Sequence, residues 1–185
     1  KNGYELCDTL KQDEKTSHIP IVLRTAKADL EARISGLERG ADAYLTKPFE
    51  PRELQARLNN LLEIRKKLQF HFTRGNGQSA PSAINISTED TFLQKIRALV
   101  EENLSDIDYG IPQICQNIGM SRSQLFRKIK ALTDRSPSLY IRSIRLREAR
   151  RLLQNSDLNV SEVAYEVGFS SPIYFSNAFL EEFGV

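Results

Sequence analysis

The sequence predicts two folds in succession, an α/β segment with a parallel sheet and then an all-α domain. Residues 1–70 alternate helical and strand patterns, which is typical of βαβ units and a truncated, doubly wound parallel sheet. Residues 71–88 are mostly polar, with Gly, Ser and Pro at their centre, and predict a flexible linker. Residues 89–185 carry apolar residues at helical spacing, so we expect only helices there.

The α/β segment contains two candidate strands. An apolar run over 19–23 predicts a buried strand, and residues 43–45 predict a shorter one. Helices are expected over about 3–11, 30–39 and 51–68. Arg24 is unusual beside a strand expected to be buried. Either missing neighbouring strands leave it in solvent, or it faces a phosphate pocket.

A short pattern occurs twice in the all-α part, with a constant offset of 49 residues. The first copy has Ile114, Cys115, Ile118, Gly119, Met120 and Ser121, and the second has Val163, Ala164, Val167, Gly168, Phe169 and Ser170. The glycines suit a left-handed helix end, and Ser121 and Ser170 are predicted N-caps of the next helix. The second copy has one extra residue before its next apolar pair. This pattern indicates two helix-turn-helix units; the alternative is ordinary helical hairpins.

The two units are predicted at about 111–132 and 160–182, with a connector helix over about 138–154. At about 1.5 Å per residue the connector spans ~25 Å. That length suits a rod between two reading helices on neighbouring major-groove turns, which lie about 34 Å apart.

The net charge of +2 conceals a strong segregation of charge. Residues 121–151 contain ten basic and two acidic side chains, whereas residues 89–120 carry a net charge of −4 and residues 152–185 carry −5. A basic island over the first reading helix favours phosphate contacts. The alternative is a solvated helix face with ion pairs.

Residues 89–185 resemble the AraC/XylS-type DNA-binding domain. The strings that carry the resemblance are GMSRSQLFRK at 119–128, YIRSIRLREA at 140–149 and VAYEVGFSSPIYFSNAF at 163–179. The resemblance implies that both helix-turn-helix units read DNA and that the domain regulates transcription.

Residues on the second helix of each helix-turn-helix unit are candidates for reading bases. Leu125, Ile129 and Leu132 recur at core spacing, which leaves the opposite stripe for DNA. Helical geometry and the resemblance give Ser123, Phe126 and Arg127 as base-reading residues in the first unit, and the resemblance gives Ile173, Tyr174 and Asn177 in the second. Arg127 suits guanine, and Phe126 suits either a thymine methyl or a half-buried core position.

Five further basic residues are candidate phosphate ligands: Arg122, Lys128, Lys130, Arg142 and Arg145. For Arg142 and Arg145 the resemblance implies a structural link between the two units as an equal alternative. Glu181 and Glu182 lie at the end of the second unit and are expected to repel phosphate. We therefore expect the first unit to dominate binding.

Residues 1–68 resemble the second half of a response-regulator receiver domain. Thr25 ends one strand, Lys47-Pro48-Phe49 follows the next, and the string GLERGADA at 36–43 lies between them. The resemblance implies that Thr25 binds an aspartyl phosphate, that Lys47 neutralises its charge and that Tyr44 is the aromatic switch residue.

In that family the phosphoacceptor aspartate and the acidic metal ligands precede the position of Lys1. The sequence therefore predicts a receiver cut through its middle, with no phosphorylation at a receiver site and no cofactor in this fragment. Mg²⁺ is expected only in an intact receiver. The first strand becomes an exposed edge, which predicts self-association or partial disorder of residues 1–68.

Together these features predict a cytoplasmic, sequence-specific transcription regulator, the output part of a two-component phosphorelay. The receiver belongs either to a response regulator or to a hybrid sensor kinase. Its expected partners are double-stranded DNA, an upstream histidine kinase or kinase domain and, when intact, a second copy in a homodimer, with no membrane segment. An enzyme is not expected, because His18 and His71 are isolated and Cys7 and Cys115 form no metal or redox motif. The alternative is a helical protein-interaction module without DNA binding, which the net charge of −1 over 89–185 favours.

Overall fold

A computed structural model describes residues 2–26, 30–74 and 86–184 of the chain. The molecule divides into two compact units. The first comprises Lys1–Asp90 with Ala131–Thr133, and the second comprises Thr91–Lys130 with Asp134–Val185.

The first unit contains a parallel pair of strands with helices before, between and after them. Its elements are α1 (Gly3–Gln12), β1 (Val22–Thr25), α2 (Leu30–Glu38), β2 (Ala43–Thr46) and α3 (Pro51–Arg74). The strands pair from Val22 with Ala43 to Thr25 with Thr46. This arrangement confirms the predicted α/β segment with a parallel sheet.

Strand β1 begins later than predicted and is less buried. The Ile21 amide donates to the Asp42 carboxylate at 2.7 Å, so it is held by a side chain at the point where the sequence predicts strand. Ile19 is 46% exposed, and β1 is half-buried, whereas β2 is buried from Ala43 to Leu45. Arg24 is exposed and its guanidinium lies 4.7 Å from the centre of the Phe49 ring, which selects the solvent-exposed alternative.

Helix α3 extends to Arg74, beyond the predicted end near residue 68. Residues 69–74 contain neither glycine nor proline, so nothing ends the helix before Gly75. Residues 71–74 and 86–88 are therefore helical, although the sequence assigned them to the linker. The centre of the predicted linker, residues 75–85, lies outside the described residues.

The remaining elements are all helical among the described residues, as predicted. They are α4 (Ile86–Glu102), α5 (Ile111–Ile118), α6 (Arg122–Thr133), α7 (Pro137–Asn155), α8 (Val160–Glu166) and α9 (Pro172–Phe183). Helices α5 and α6 form the first helix-turn-helix unit, α8 and α9 form the second, and α7 connects them.

Each helix-turn-helix unit turns one apolar face inward. In the first unit Ile114, Leu125 and Ile129 are fully buried. The second unit packs against α7 in one cluster, and edge-to-face stacking of Phe169 on Phe175 at 5.2 Å adds to it. The cluster consists of Leu146, Ala149, Val163, Ala164, Val167, Phe169, Phe175 and Ala178. These cores fix which faces of α6 and α9 remain in solvent.

Candidate nucleic-acid interface

The turn between α5 and α6 follows the sequence prediction. Gly119 adopts φ 69° and ends α5, and the Met120 amide donates to the Cys115 carbonyl at 3.1 Å. Ser121 caps α6, and a reciprocal bond from its amide to the Gln124 side chain at 2.9 Å completes a capping box. These bonds fix the angle at which α6 leaves the turn.

The turn between α8 and α9 differs by one residue. Gly168 adopts φ 73°, and the Phe169 amide donates to the Ala164 carbonyl at 2.9 Å, as in the first unit. The N-cap of α9 is Ser171, whose hydroxyl accepts from the Tyr174 amide, and Pro172 is the first helical residue. The prediction of Ser170 as the cap is therefore wrong, because the extra residue of the second copy lies between the glycine and the cap.

Helix α6 separates its core stripe from its predicted reading stripe. Leu125 and Ile129 are fully buried. Ser123 and Arg127 are exposed, and Phe126 is 48% exposed. The predicted base-reading residues of this helix therefore share an accessible surface.

Helix α9 shows the same division. Phe175 and Ala178 are buried, whereas Ile173 is 77% exposed and Tyr174 is 53% exposed. Asn177, one turn after Ile173, is also exposed. The structure thus leaves all three predicted reading residues of the second unit accessible.

Lys128 does not occupy the surface predicted for it. It is fully buried, and its ammonium lies 4.4 Å from the centre of the Phe92 ring, a cation–π distance. A side chain without solvent exposure cannot hold a DNA phosphate, so that prediction is wrong. Lys128 lies three residues after Leu125 and four before Leu132, and this core spacing was the signal that its charge concealed.

Arg145 is a structural link between the two helix-turn-helix units. It is 7% exposed. Its Nη1 donates to the Gly168 carbonyl at 2.6 Å, and its Nη2 donates to the carbonyls of Asp106 at 2.6 Å and Tyr109 at 3.2 Å. Burial lowers the pKa of Arg145, and the nearby Asp106 carboxylate acts in the opposite direction. These bonds decide the alternative in favour of the structural role and contradict a phosphate contact.

Two acids that were expected to repel DNA instead form ion pairs within the domain. Arg142 donates to Glu181 at 3.0 Å, and Arg135 donates to both carboxylate oxygens of Glu182 at 2.7 and 2.9 Å. A hydrogen bond with Tyr174 is the largest of the effects that raise the pKa of Arg142, and Glu181 adds to it. Sequence reasoning missed both pairs, because each joins residues that are about forty or more positions apart.

Only some of the basic side chains in the basic island are exposed in the structure. Arg122, Arg127, Lys130, Arg150 and Arg151 are exposed. Lys130 pairs with Asp134 at 2.9 Å, and Arg151 donates to Glu148 at 2.8 Å. Arg122 and Lys130 therefore remain accessible as predicted phosphate ligands on α6, and Arg142 is half-buried.

Two of the three predicted receiver residues, Thr25 and Lys47, lie at the carboxyl end of the parallel strands. Thr25 ends β1, and the Lys47 amide donates to the Thr25 carbonyl at 2.7 Å, so the two residues are adjacent. The Lys47 side chain is exposed. Tyr44 is buried, and its hydroxyl lies 3.2 Å from that of Tyr4.

Among the described residues, no three His, Cys, Asp or Glu side chains come together in a way that would hold a metal ion. These residues do not fit a Mg²⁺ site. None of the described helices combines the length and the apolar character needed to cross a bilayer.

Two family models match the chain. The response regulator receiver domain matches residues 1–59, and the helix-turn-helix domain matches residues 114–185. The chain therefore contains a segment that matches the receiver model, followed by a segment that matches the helix-turn-helix model.

Individual relatives match one or both parts. Histidine kinase P4 of Formosa agariphila is 42% identical over 182 residues, which cover 98% of this chain and 13% of that protein. The phosphate regulon transcriptional regulatory protein PhoB of Pseudomonas aeruginosa is 56% identical over 61 residues, which cover 33% of this chain and 27% of that protein. The chain therefore spans a minor part of the length of both relatives.

A solved structure also aligns with part of the chain. The C-terminal domain of AraT, a response regulator from Geobacillus stearothermophilus, is 28% identical with a TM-score of 0.46, covering 51% of this chain and 78% of that one. The residues that match the helix-turn-helix model include α6 and α9.

Proposed function

We propose that the helix-turn-helix domain binds specific sequences of double-stranded DNA through α6 and α9 and regulates transcription. The observation that carries this proposal is the exposure of both second helices. Each buries one stripe in the core and leaves its predicted base-reading residues in solvent. A helix of this kind fits the major groove, where side chains meet base edges.

Within this proposal α6 supplies the larger share of the affinity. It carries exposed Arg122, Arg127 and Lys130, so phosphate contacts and a guanine contact lie on one helix. On α9 the proposed readers Ile173, Tyr174 and Asn177 are uncharged, and Arg142, which interacts with Tyr174, is paired with Glu181. The second unit then adjusts specificity more than affinity.

The receiver segment places the proposed regulator in a two-component system. Thr25 and Lys47 lie together where the receiver family binds an aspartyl phosphate, with Tyr44 as the switch residue, and we assign them those roles. A relative that matches nearly the whole chain is named a histidine kinase, which supports a kinase and this output domain in one polypeptide. The role proposed for this chain is non-enzymatic. Pairing of two intact receivers would place two helix-turn-helix domains on repeated half-sites of the DNA.

A binding-site selection followed by titration tests the proposal. Duplexes enriched from a random pool by the full chain would be measured by fluorescence anisotropy, with Arg127→Ala as the test variant. Arg151→Ala is the matched control, since it removes the same charge from an exposed site on α7. We expect the first variant to weaken binding and the control to leave it nearly unchanged. Failure to enrich any sequence, with affinity independent of salt, would refute DNA reading.

A protein-interaction module is the second candidate function. The observation in its favour is the exposed apolar surface of α9, where Ile173, Tyr174 and Leu180 are each more than half exposed. Apolar exposure of this kind also marks protein contacts. The same titration separates the two functions, because an interaction module would show no enrichment and little dependence on salt.

A further inference from the structure

The helix-turn-helix domain contains a cleft of about 420 Å³ between its first and second helix-turn-helix units. Its walls come from the segment that leads into α5, the first residues of α5 and α6, α7 as far as Arg145, the turn that precedes α9 and the first turn of α9. Volumes of this size are in the range of small-molecule sites, roughly 300–1,000 Å³. The cleft lies wholly within the domain, so its shape is set by the contacts that join the two units.

The cleft combines an apolar lining with positive charge. Ile107, Leu139 and Tyr174 line it and are 52%, 44% and 53% exposed, so their apolar surface is accessible to a ligand. The charged residues in its wall are Arg122, Arg142 and Arg145, and no aspartate or glutamate is among the described residues that line it. This composition matches a ligand with an apolar body and an anionic group.

The charge of Arg145 strengthens the match. Among the described residues, its guanidinium donates to neutral backbone carbonyls, and its buried Nε–H has no acceptor. The guanidinium therefore sits in the wall without a carboxylate bonded to it. Arg122 is exposed, so a ligand reaches it directly. Arg142 is half-buried and donates to Glu181, so a ligand would share this arginine with that carboxylate.

We propose that this cleft binds a small organic carboxylate, with its ring or chain against Ile107, Leu139 and Tyr174 and its carboxylate near Arg122 and Arg142. The site needs neither DNA nor the receiver segment for its chemistry. A regulatory consequence, which rests on the proposed function, is that a bound ligand touches two residues assigned to DNA contact, Arg122 and Tyr174.

Binding of 2-naphthoate to the full chain, without DNA, tests the site. The chain has no tryptophan, so the fluorescence anisotropy of the naphthalene ring reports binding without interference. 2-Naphthamide has the same ring and no charge. We expect the amide to bind at least tenfold more weakly than the carboxylate. Equal affinity of the two compounds, or no binding of naphthoate at millimolar concentration, would overturn the proposal.

A pair of matched variants locates the site. Leu139→Asp places a negative charge in the cleft, and aspartate is well tolerated in the first turn of α7 because it favours the helix N-terminus. Leu158→Asp makes the same change at a site 38% exposed that does not line the cleft. Naphthoate affinity should fall at least tenfold in the first variant and stay within twofold in the second, with both variants showing wild-type circular dichroism. An equal loss of naphthoate affinity in both variants, or no loss in either, would show that naphthoate binds elsewhere. Because no DNA is present, a negative result here leaves the DNA-binding proposal standing.

Discussion

The guanidinium of Arg145 shows how one side chain can link segments far apart in the sequence. It bonds the carbonyl of Gly168 in the second unit and the carbonyls of Asp106 and Tyr109 ahead of the first. The planar group has five donors in a fixed fork, which a lysine ammonium cannot reproduce. The sequence left Arg145 open between a phosphate ligand and a structural link, and these bonds assign it to the structural link.

Replacing Arg145 by lysine should destabilise the domain. The lysine ammonium cannot reach all the carbonyls that the guanidinium bonds, so some buried carbonyls lose their partner. We therefore expect the free energy of unfolding to fall by about 2–4 kcal/mol. Urea denaturation followed by circular dichroism measures the change, with Arg151→Lys as an exposed control expected within about 0.5 kcal/mol of wild type. Lower DNA affinity with unchanged stability would instead support the phosphate role.

The two turn glycines should respond differently to the same substitution. Both have left-handed backbones, with φ 69° at Gly119 and 73° at Gly168, so alanine costs about 1–2 kcal/mol at either. A Cβ at Gly119 meets nothing within 4 Å, whereas at Gly168 it lies 2.5 Å from the Leu104 carbonyl oxygen and 2.5 Å from Arg145 Nη1. Gly168→Ala should therefore destabilise the domain clearly more than Gly119→Ala in thermal unfolding. Equal melting temperatures would contradict this packing.

At the scale of elements, α6 and α9 share one design but have different surroundings. Both are capped by a serine and both leave a stripe in solvent. The last turn of α9 carries Glu181 and Glu182, which pair with arginines of the connecting region, while α6 keeps exposed cations. Because of this difference we expect α6 to contribute more to DNA affinity than α9.

Loss of Arg127 should weaken DNA binding more than loss of Asn177. Arg127→Ala removes a candidate guanine contact and should cost about 1–3 kcal/mol, with relaxed preference at one base pair. Asn177→Ala should cost less, because the unit that carries it contributes less affinity. Anisotropy titrations on the selected duplex and on its single-base variants measure both effects. A larger loss for Asn177→Ala would reverse the ranking.

Element types were predictable because local signals agreed with one another. Gly119 and Gly168 end their helices as expected, and the apolar spacing of Leu125 and Ile129 gave the buried face of α6. The failures came from contacts between residues far apart in sequence. Asp42 holds the Ile21 amide and delays β1, and Phe92 receives the ammonium of Lys128. Neither partner leaves a local pattern.

At the scale of the whole molecule, sequence charge and available charge are different quantities. The basic island has ten cations, but Lys128 and Arg145 are buried, and Arg135 and Arg142 pair with acids of α9. Exposed cations on α6 reduce to Arg122, Arg127 and Lys130. The exposed part of the basic island is therefore small: three cations on α6, with Arg150 and Arg151 on α7.

The dependence of DNA affinity on salt should reflect this small number of exposed cations. Each phosphate contact contributes a slope of about −0.9 to log K against log salt concentration, so two to four contacts give roughly −2 to −4. Arg122→Ala should reduce the magnitude of the slope by about 1. Titrations at several salt concentrations measure both values, with Arg151→Ala as the charge control. A slope near −9 would mean that the whole island contacts DNA.

The single added residue before Ser171 has a consequence for operators. Because α9 starts one position later after its glycine than α6 does, the two recognition surfaces are not copies of each other. One molecule should then prefer two dissimilar half-elements in a fixed order, and it would face one way along the duplex. A single bound copy would thereby give a promoter left–right polarity, which a symmetric dimer on a palindrome cannot do.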